Sequence, residues 1–334
     1  MAAIKVFRAE CIQRGAGDYN FLQRVFHKLL LDFSWWINRK DAEGHNLFEG
    51  GFMGLDNISV YNRSKPLPPG YSLKQADATG WMAHFALKMA LIALELCVRD
   101  PDYEDIAIHC YKQFLAIAEA IAGSDETGAP SLWDPKIGFF TDLLRTPDQG
   151  HHRIEVYSWV GLIPLFAVEI VNRRMLEHAP RFRRLLDEHK GGLFHGSSVC
   201  ACPDWENERG ERLLALVDHT MLPRILQRLL DEEQFLSRYG VRSLSRIHAT
   251  DRHLGWIPGI GEALNCHKQT SERVSLRTVT EAIRVLWVLG TFSMIRCDSE
   301  GRIKERSDGS ADERDFGGSA ALDPPYRGRM APAF

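Results

Sequence analysis

"FEGGFMGLDNISVYNRSKPLPPGYSLKQADATGWMAHF", residues Phe48 to Phe85, decides how this chain is read. Glycines, prolines, two aspartates and isolated aromatics interrupt a sequence that elsewhere favours helix. Gly50, Gly51 and Gly54 permit unusual backbone angles just before Asp56, and Pro66, Pro68 and Pro69 stiffen the chain beyond it. The stretch is too long for a simple connection and too specific in composition for a flexible linker. It suits a loop that holds a side chain over a pocket.

Downstream, "ATGWMAHFALKMALIALEL" places Met82, Phe85, Ala86, Met89, Ala93 and Leu96 at helical spacing, with a narrow polar stripe of His84, Lys88 and Glu95. The pattern predicts a helix buried on nearly all sides. "DYEDIAIHCYKQFLAIAEAIAG" begins just after Pro101, puts Ile106, Cys110, Phe114, Ile117 and Ile121 on one face and ends at Gly123. The two predict an αα-hairpin. Further helices are expected in "FLQRVFHKLLLDFSWWIN", in "VYSWVGLIPLFAVEIVNRR" with a kink at Pro164, in "RFRRLLDEHK" and in "HTMLPRILQRLLDEEQFL". "SLWDPKIGFFTDLLR" reads as two short strands around an Asp134 to Gly138 turn. The chain is therefore expected to be mainly α, with a small β-hairpin insertion and no sequence repeat of fixed period.

Composition narrows the function. Lys and Arg number 41 against 44 Asp and Glu, a net charge of -3, which gives no field for nucleic acid or an acidic membrane surface. The opening "MAAIKVFRAECIQRGAGDYN" lacks the apolar core of a signal peptide, and no run of eighteen apolar residues occurs. Seven scattered cysteines suit free thiols in a reducing compartment. A cytoplasmic protein is expected.

Several residues invite chemistry, and each has a plainer role. Asp56, between Leu55 and Asn57, is a candidate proton donor whose pKa partial desolvation would raise, or it makes an Asx turn with Asn57. Asp77, with Thr79, is a candidate N-cap for the buried helix. Trp35, Trp36, Trp81 and Tyr61 offer apolar faces with a polar rim for stacking on sugars, or they are core. Arg39, Lys40 and Arg63 are candidates to orient hydroxyls or pair with Asp56, or they are solvated. His195, Cys200, Cys202 and Asp204 suggest zinc, but Cys-x-Cys is not the usual knuckle spacing and no second pair follows at a suitable distance. His151 and His152 are a weak pair in the same sense. No phosphate-binding glycine motif, nucleophile elbow or dinucleotide fingerprint occurs.

Taken together, "WWINRKDAEGHNLFEGGFMGLDNISVYNRSKPLPPGYSLKQADATGWMA" resembles the first catalytic segment of glycoside hydrolase family 63, which includes processing α-glucosidases and mannosylglycerate hydrolases and is related to the trehalases. "SLWDPKIGFFTDLL", "SWVGLIPLFAVE", "ERLLALVD" and "LSRYGVRSLSRIH" resemble later family segments in the same order, so the resemblance spans about Tyr19 to Gly259.

The resemblance implies an (α/α)6 toroid and inverting hydrolysis of α-linked glucosides or mannosides by two carboxylic acids. Asp56 matches the general acid. Asp77, in "QAD", matches a position lining the sugar pocket, with Trp81 one turn further on. Gln75, Trp36 and Arg63 are expected beside them as substrate-binding residues. No metal or organic cofactor is implied, and the partner is an oligosaccharide or glycoside, with neither nucleic acid nor membrane.

After "WIPGIGE" the sequence departs from the family. A glycine-rich stretch, a Trp-Arg-Gly-Pro motif and the helices carrying the general base are expected there, and "ALNCHKQTSERVSLRTVTEAIRVLW" stands instead. Six or seven helices are legible where a closed toroid has twelve. The reading is an incomplete toroid of helical hairpins: residues 1–18 a leader, 19–265 a partial catalytic domain, 266–334 a divergent, partly disordered tail. In that tail "RCDSEGRIKERSDGSADER" is charged at eleven of nineteen positions. The tail reads as the product of a shifted reading frame or as true divergence. Such a fragment would have doubtful activity of its own and expose apolar helix faces able to associate with another chain. The other reading of the same features is a non-catalytic helical protein that binds carbohydrate or a partner.

Overall fold

A buried helix bracketed by two others organises the structure, a computed structural model that describes residues 2–39, 46–48, 67–123, 131–148, 150–188, 206–238, 240–249, 296–297 and 303–304. The helices are α1 (Ala2–Arg14), α2 (Tyr19–Ile37), α3 (Ala76–Cys97), α4 (Tyr103–Ala122), α5 (Arg173–His178), α6 (Pro180–Glu188) and α7 (Met221–Leu229). The described residues are mainly helical with small antiparallel sheets, as the sequence pattern requires.

Residues 2–14, set aside from the sequence as a leader, form α1, which buries Ile4 and Phe7 and meets α2. Phe7 sits edge-on to Tyr19 at the start of α2. Asp18 caps α2, its Oδ1 accepting from the Phe21 amide at 2.9 Å, and Leu22, Phe26, Phe33 and Ile37 form the buried face.

α3 is apolar all round, and of its 22 residues only Trp81 and Phe85 are not fully buried. By length and composition it could cross a bilayer, but protein covers it. α4 follows after a short turn and ends where Gly123, at φ +73°, lets its amide reach the carbonyls of Glu119 and Ala120. The expected αα-hairpin is present. Phe26 and His27 of α2 face Tyr103 at the start of α4, while Leu30 through Asn38 line one groove with Asp105 through Gln113. α2 and α4 therefore run parallel, and α3 runs antiparallel to both, with Phe33 meeting Phe85 edge-on.

The predicted hairpin is β2 (Trp133–Asp134) with β3 (Phe139–Phe140). Asp134 Oδ1 accepts from the Lys136 amide at 2.8 Å, and Gly138, at φ +65°, closes the turn onto the Asp134 carbonyl. A three-stranded sheet is built in the order β1 (Ser72–Lys74), β4 (Asp142–Arg145), β5 (His151–Ile154), with Leu73 opposite Leu144 and Leu144 opposite His152.

Two expected helices are corrected. "VYSWVGLIPLFAVEIVNRR" is not one kinked helix. Ser158 caps a 3-10 helix, Trp159–Phe166, after which β6 (Val168–Val171) pairs with β7 (Arg212–Ala215), and Asn172 caps α5. Pro164 lacks the amide that an α-helix needs, and the β-branched residues of β6 gain a partner that only tertiary structure supplies. "HTMLPRILQRLLDEEQFL" is helical only to Leu229, and Leu236–Ser237 then forms β8 with β9 (Gly240–Val241). Of the expected tail, β10 (Arg296–Cys297) pairs with β11 (Ile303–Lys304). The apolar segment Glu281–Ile295 lies outside the described residues.

The polar stripe of α3 faces inward. His84 Nδ1 meets the Phe166 carbonyl at 2.6 Å, which places the proton on Nδ1. Lys88 pairs with Glu169 of β6, and Glu95 lies 3.9 Å from Arg174 of α5. Each polar residue finds a partner on the chain running from the 3-10 helix to α5.

Candidate functional site at the N-terminus of helix α3

The first turn of α3 is tied down from two sides. The Gln75 amide donates to the Phe48 carbonyl at 3.1 Å, and the Phe48 amide donates to Thr79 Oγ1 at 3.2 Å. Thr79 Oγ1 in turn donates to the Gln75 carbonyl at 2.6 Å. From the other side Asp142 of β4 accepts the Ala76 amide at 2.8 Å. One of the free N–H groups of the helix, that of Ala76, is thus served by a strand carboxylate.

Asp77 is therefore not the N-cap that the sequence suggests. Gln75 holds that position without a side-chain cap bond, and Asp77 sits in the first turn, fully buried. Its carboxylate lies where the positive end of the helix dipole favours negative charge. Lys74, Gln75, Asp77, Thr79 and Asp142 are all buried at this junction, a concentration of polar side chains unusual for a core.

Two polar atoms at the junction lack partners among the described residues. Gln75 Oε1, an acceptor, and Trp81 Nε1, a donor, are both buried and make no hydrogen bond among the described residues. Trp81 lies one turn beyond Asp77 on the same face of α3. Its indole stands edge-on to His84 at 5.7 Å and 5.6 Å from Phe166, which also packs against Trp159. Trp159 and Asp142, neither singled out from the sequence, complete the surroundings.

Of the expected site residues, the structure gathers Gln75, Asp77 and Trp81 around one helix end. Trp36 is half-buried in the last turn of α2, its ring against Trp35 at 4.7 Å. Arg39 is exposed, with its guanidinium over the Trp35 ring at 4.2 Å. Asp56, Arg63, Lys40 and Tyr61 lie outside the described residues, as do His195, Cys200, Cys202 and Asp204. The chain carrying Asp56 and Arg63 leaves from Phe48, bonded to Gln75 and Thr79, and rejoins the described structure just before β1.

His151 and His152 are exposed on the edge strand β5. Partial desolvation, the nearby charges of Lys74 and Arg145, and His152 hold the His151 pKa below its ordinary value. Among the described residues no three His, Cys, Asp or Glu side chains come together as a metal site.

No family model matches the chain. It is 42% identical over 262 residues to the uncharacterized protein YMR196W of Saccharomyces cerevisiae, an alignment that takes in 74% of this chain and 24% of that protein. The chain spans about a quarter of the length of that relative.

Proposed function

We propose that this chain carries the sugar-binding and proton-donating part of an inverting α-glycosidase of the glycoside hydrolase family 63 type, with the sugar held at the N-terminal end of α3. The observation that carries the reading is the pair of unpartnered buried atoms, Gln75 Oε1 and Trp81 Nε1, on either side of Asp77 in the sequence. Each such atom costs about 1–3 kcal/mol when left without a partner. A sugar hydroxyl donates and accepts at once, so hydroxyls can serve both atoms, while the indole offers apolar area to the ring.

The helix arrangement supports the same reading. Parallel α2 and α4 flanking an antiparallel, buried α3 is the repeating relationship that a toroid of helical hairpins requires. In the proposed reaction Asp56 protonates the glycosidic oxygen while a carboxylate about 6.5–9.5 Å away takes a proton from the attacking water. The products are an alcohol and a sugar of inverted anomeric configuration. Asp56 takes this role from its place in "GLDN", and the general base is unassigned. Substrates are α-glucosides or α-mannosides, and no cofactor takes part.

The test is hydrolysis of aryl α-glucosides, aryl α-mannosides and glucose disaccharides by the 334-residue chain beside Asp56→Asn. Turnover with inversion, abolished in the variant, supports the glycosidase. Sugar binding with no turnover in either protein supports a non-catalytic carbohydrate-binding role. Full turnover in Asp56→Asn contradicts the assignment of the acid.

A further inference from the structure

A second site lies away from the N-terminal end of α3. The turn leading from Glu206 to Arg212 folds against α5 and α6 and borders a partly open cavity of about 320 Å³. Arg212, at the start of β7, lines this cavity with its side chain almost entirely buried, 2% exposed. Its Nε donates to Glu206 Oε2 at 3.0 Å and its Nη2 lies 2.7 Å from Asp187 Oδ1. Nη1 is buried and has no hydrogen-bond partner among the described residues. Two N–H groups of a charged fork are thus left without an acceptor among the described residues, beside a polar cavity, an arrangement that a ligand oxygen or water can complete.

The charges around the cavity decide between ligands. Arg173, Arg183 and Arg212 are matched by Glu177, Glu206 and Glu208, and Asp187 adds a further carboxylate on Arg212. An anion drawn to Nη1 would meet the carboxylates already holding the guanidinium. A cation would face the three arginines. A neutral molecule rich in hydroxyls meets neither penalty, because each hydroxyl accepts from guanidinium and donates to carboxylate. The volume falls at the lower end of small-molecule pockets.

We infer that this cavity binds a small neutral polyhydroxylated ligand, a monosaccharide or polyol, with a hydroxyl oxygen on Arg212 Nη1 and hydroxyl protons directed to the neighbouring glutamates. The site is independent of the α3 terminus and stands whether or not the chain is a glycosidase.

The test uses the full chain carrying Trp81→Phe, which weakens binding at α3, and reads a signal that belongs to the second cavity alone. D-Glucose, D-mannose and inorganic phosphate are titrated in turn while the Arg212 Nε–H resonance is followed by NMR. Saturable movement of that resonance by a sugar is expected, with phosphate inert. The exposed pair Arg183→Gln with Glu208→Gln, which leaves the buried arginine in place, is expected to weaken sugar binding by about tenfold or more. Arg212→Lys, which keeps the charge and removes Nη1, does the same if it folds. The inference is overturned if neither sugar moves the Arg212 resonance, which would leave water as the partner of Nη1. It is also overturned if phosphate binds more tightly than sugar, or if binding is unchanged in the exposed double variant.

Discussion

Lys88 of α3 and Glu169 of β6 form an ion pair in which both side chains are buried, 7% and 6% exposed. The pair joins the central helix to the strand that succeeds the 3-10 helix. Removing one partner leaves an uncompensated buried charge, which costs about 3–5 kcal/mol, whereas replacing both with apolar residues of similar volume is often near neutral. Urea denaturation of Lys88→Met and of Glu169→Leu is expected to show losses of that size. Lys88→Met with Glu169→Leu together is expected to lose much less than their sum.

Two glycines set the approach of the 3-10 helix. A Cβ on Gly80 would lie 2.9 Å from the Pro164 nitrogen, and one on Gly161 would lie 2.2 Å from the Phe140 carbonyl oxygen. Backbone cannot move aside as a flexible side chain does. Gly80→Ala and Gly161→Ala are each expected to destabilise the protein by about 1–3 kcal/mol, with Gly161→Ala the worse, measured by thermal denaturation.

The thiols of the α3–α4 hairpin are expected to be inert. Burial raises the Cys110 pKa to about 12, and burial, then the charges of Glu104 and Asp100, raise that of Cys97 to about 11 against a partial offset by Arg181. Thiolate is the reactive form. Alkylation at about pH 8, near the ordinary thiol pKa, followed by mass spectrometry is expected to leave both unmodified until denaturant is added. Modification of either in the folded chain would contradict their placement.

The acid side of the stability profile has its own contributors. The Asp148 pKa is lowered, chiefly by the Thr146 hydroxyl and then the Gly150 amide, and that of His151 is lowered by burial and neighbouring positive charge. Both groups bind protons less readily in the folded state. The stability they contribute is present above their ordinary values of 3.8 and 6.5 and is lost as pH falls through the lowered ones. Denaturation midpoints are expected to fall below pH 6.5, and an NMR titration of His151 is expected to centre below that value.

Much of this is legible from local pattern. The run of apolar residues in α3, the proline before α4, the glycine after it and the Asp134 to Gly138 turn each state their structure within a few residues. The stripe of His84, Lys88 and Glu95 is visible, but its partners Phe166, Glu169 and Arg174 lie on a segment that reads as helix. Ser158, Pro164 and the β-branched "VEIV" are present to contradict that helix, and the pairing with Arg212–Ala215 decides the matter. Asp77 looks like a cap because helix starts favour aspartate. The true partner of the terminus, Asp142, is 66 residues away from Ala76, and no local rule could identify it. Gln75 is marked by resemblance alone and Trp81 by resemblance and its aromatic face, and their unpartnered atoms emerge only with the packing.

The central claim is that a sugar occupies the N-terminal end of α3. It is tested most directly by isothermal titration of the chain with methyl α-glucoside and methyl α-mannoside, beside Gln75→Ala and Trp81→Phe. The account expects saturable binding of at least one glycoside, weakened by about tenfold or more in each variant, as the loss of one or two hydrogen bonds and part of a stacking face requires. No binding, or binding to which Gln75 and Trp81 are indifferent, would contradict it.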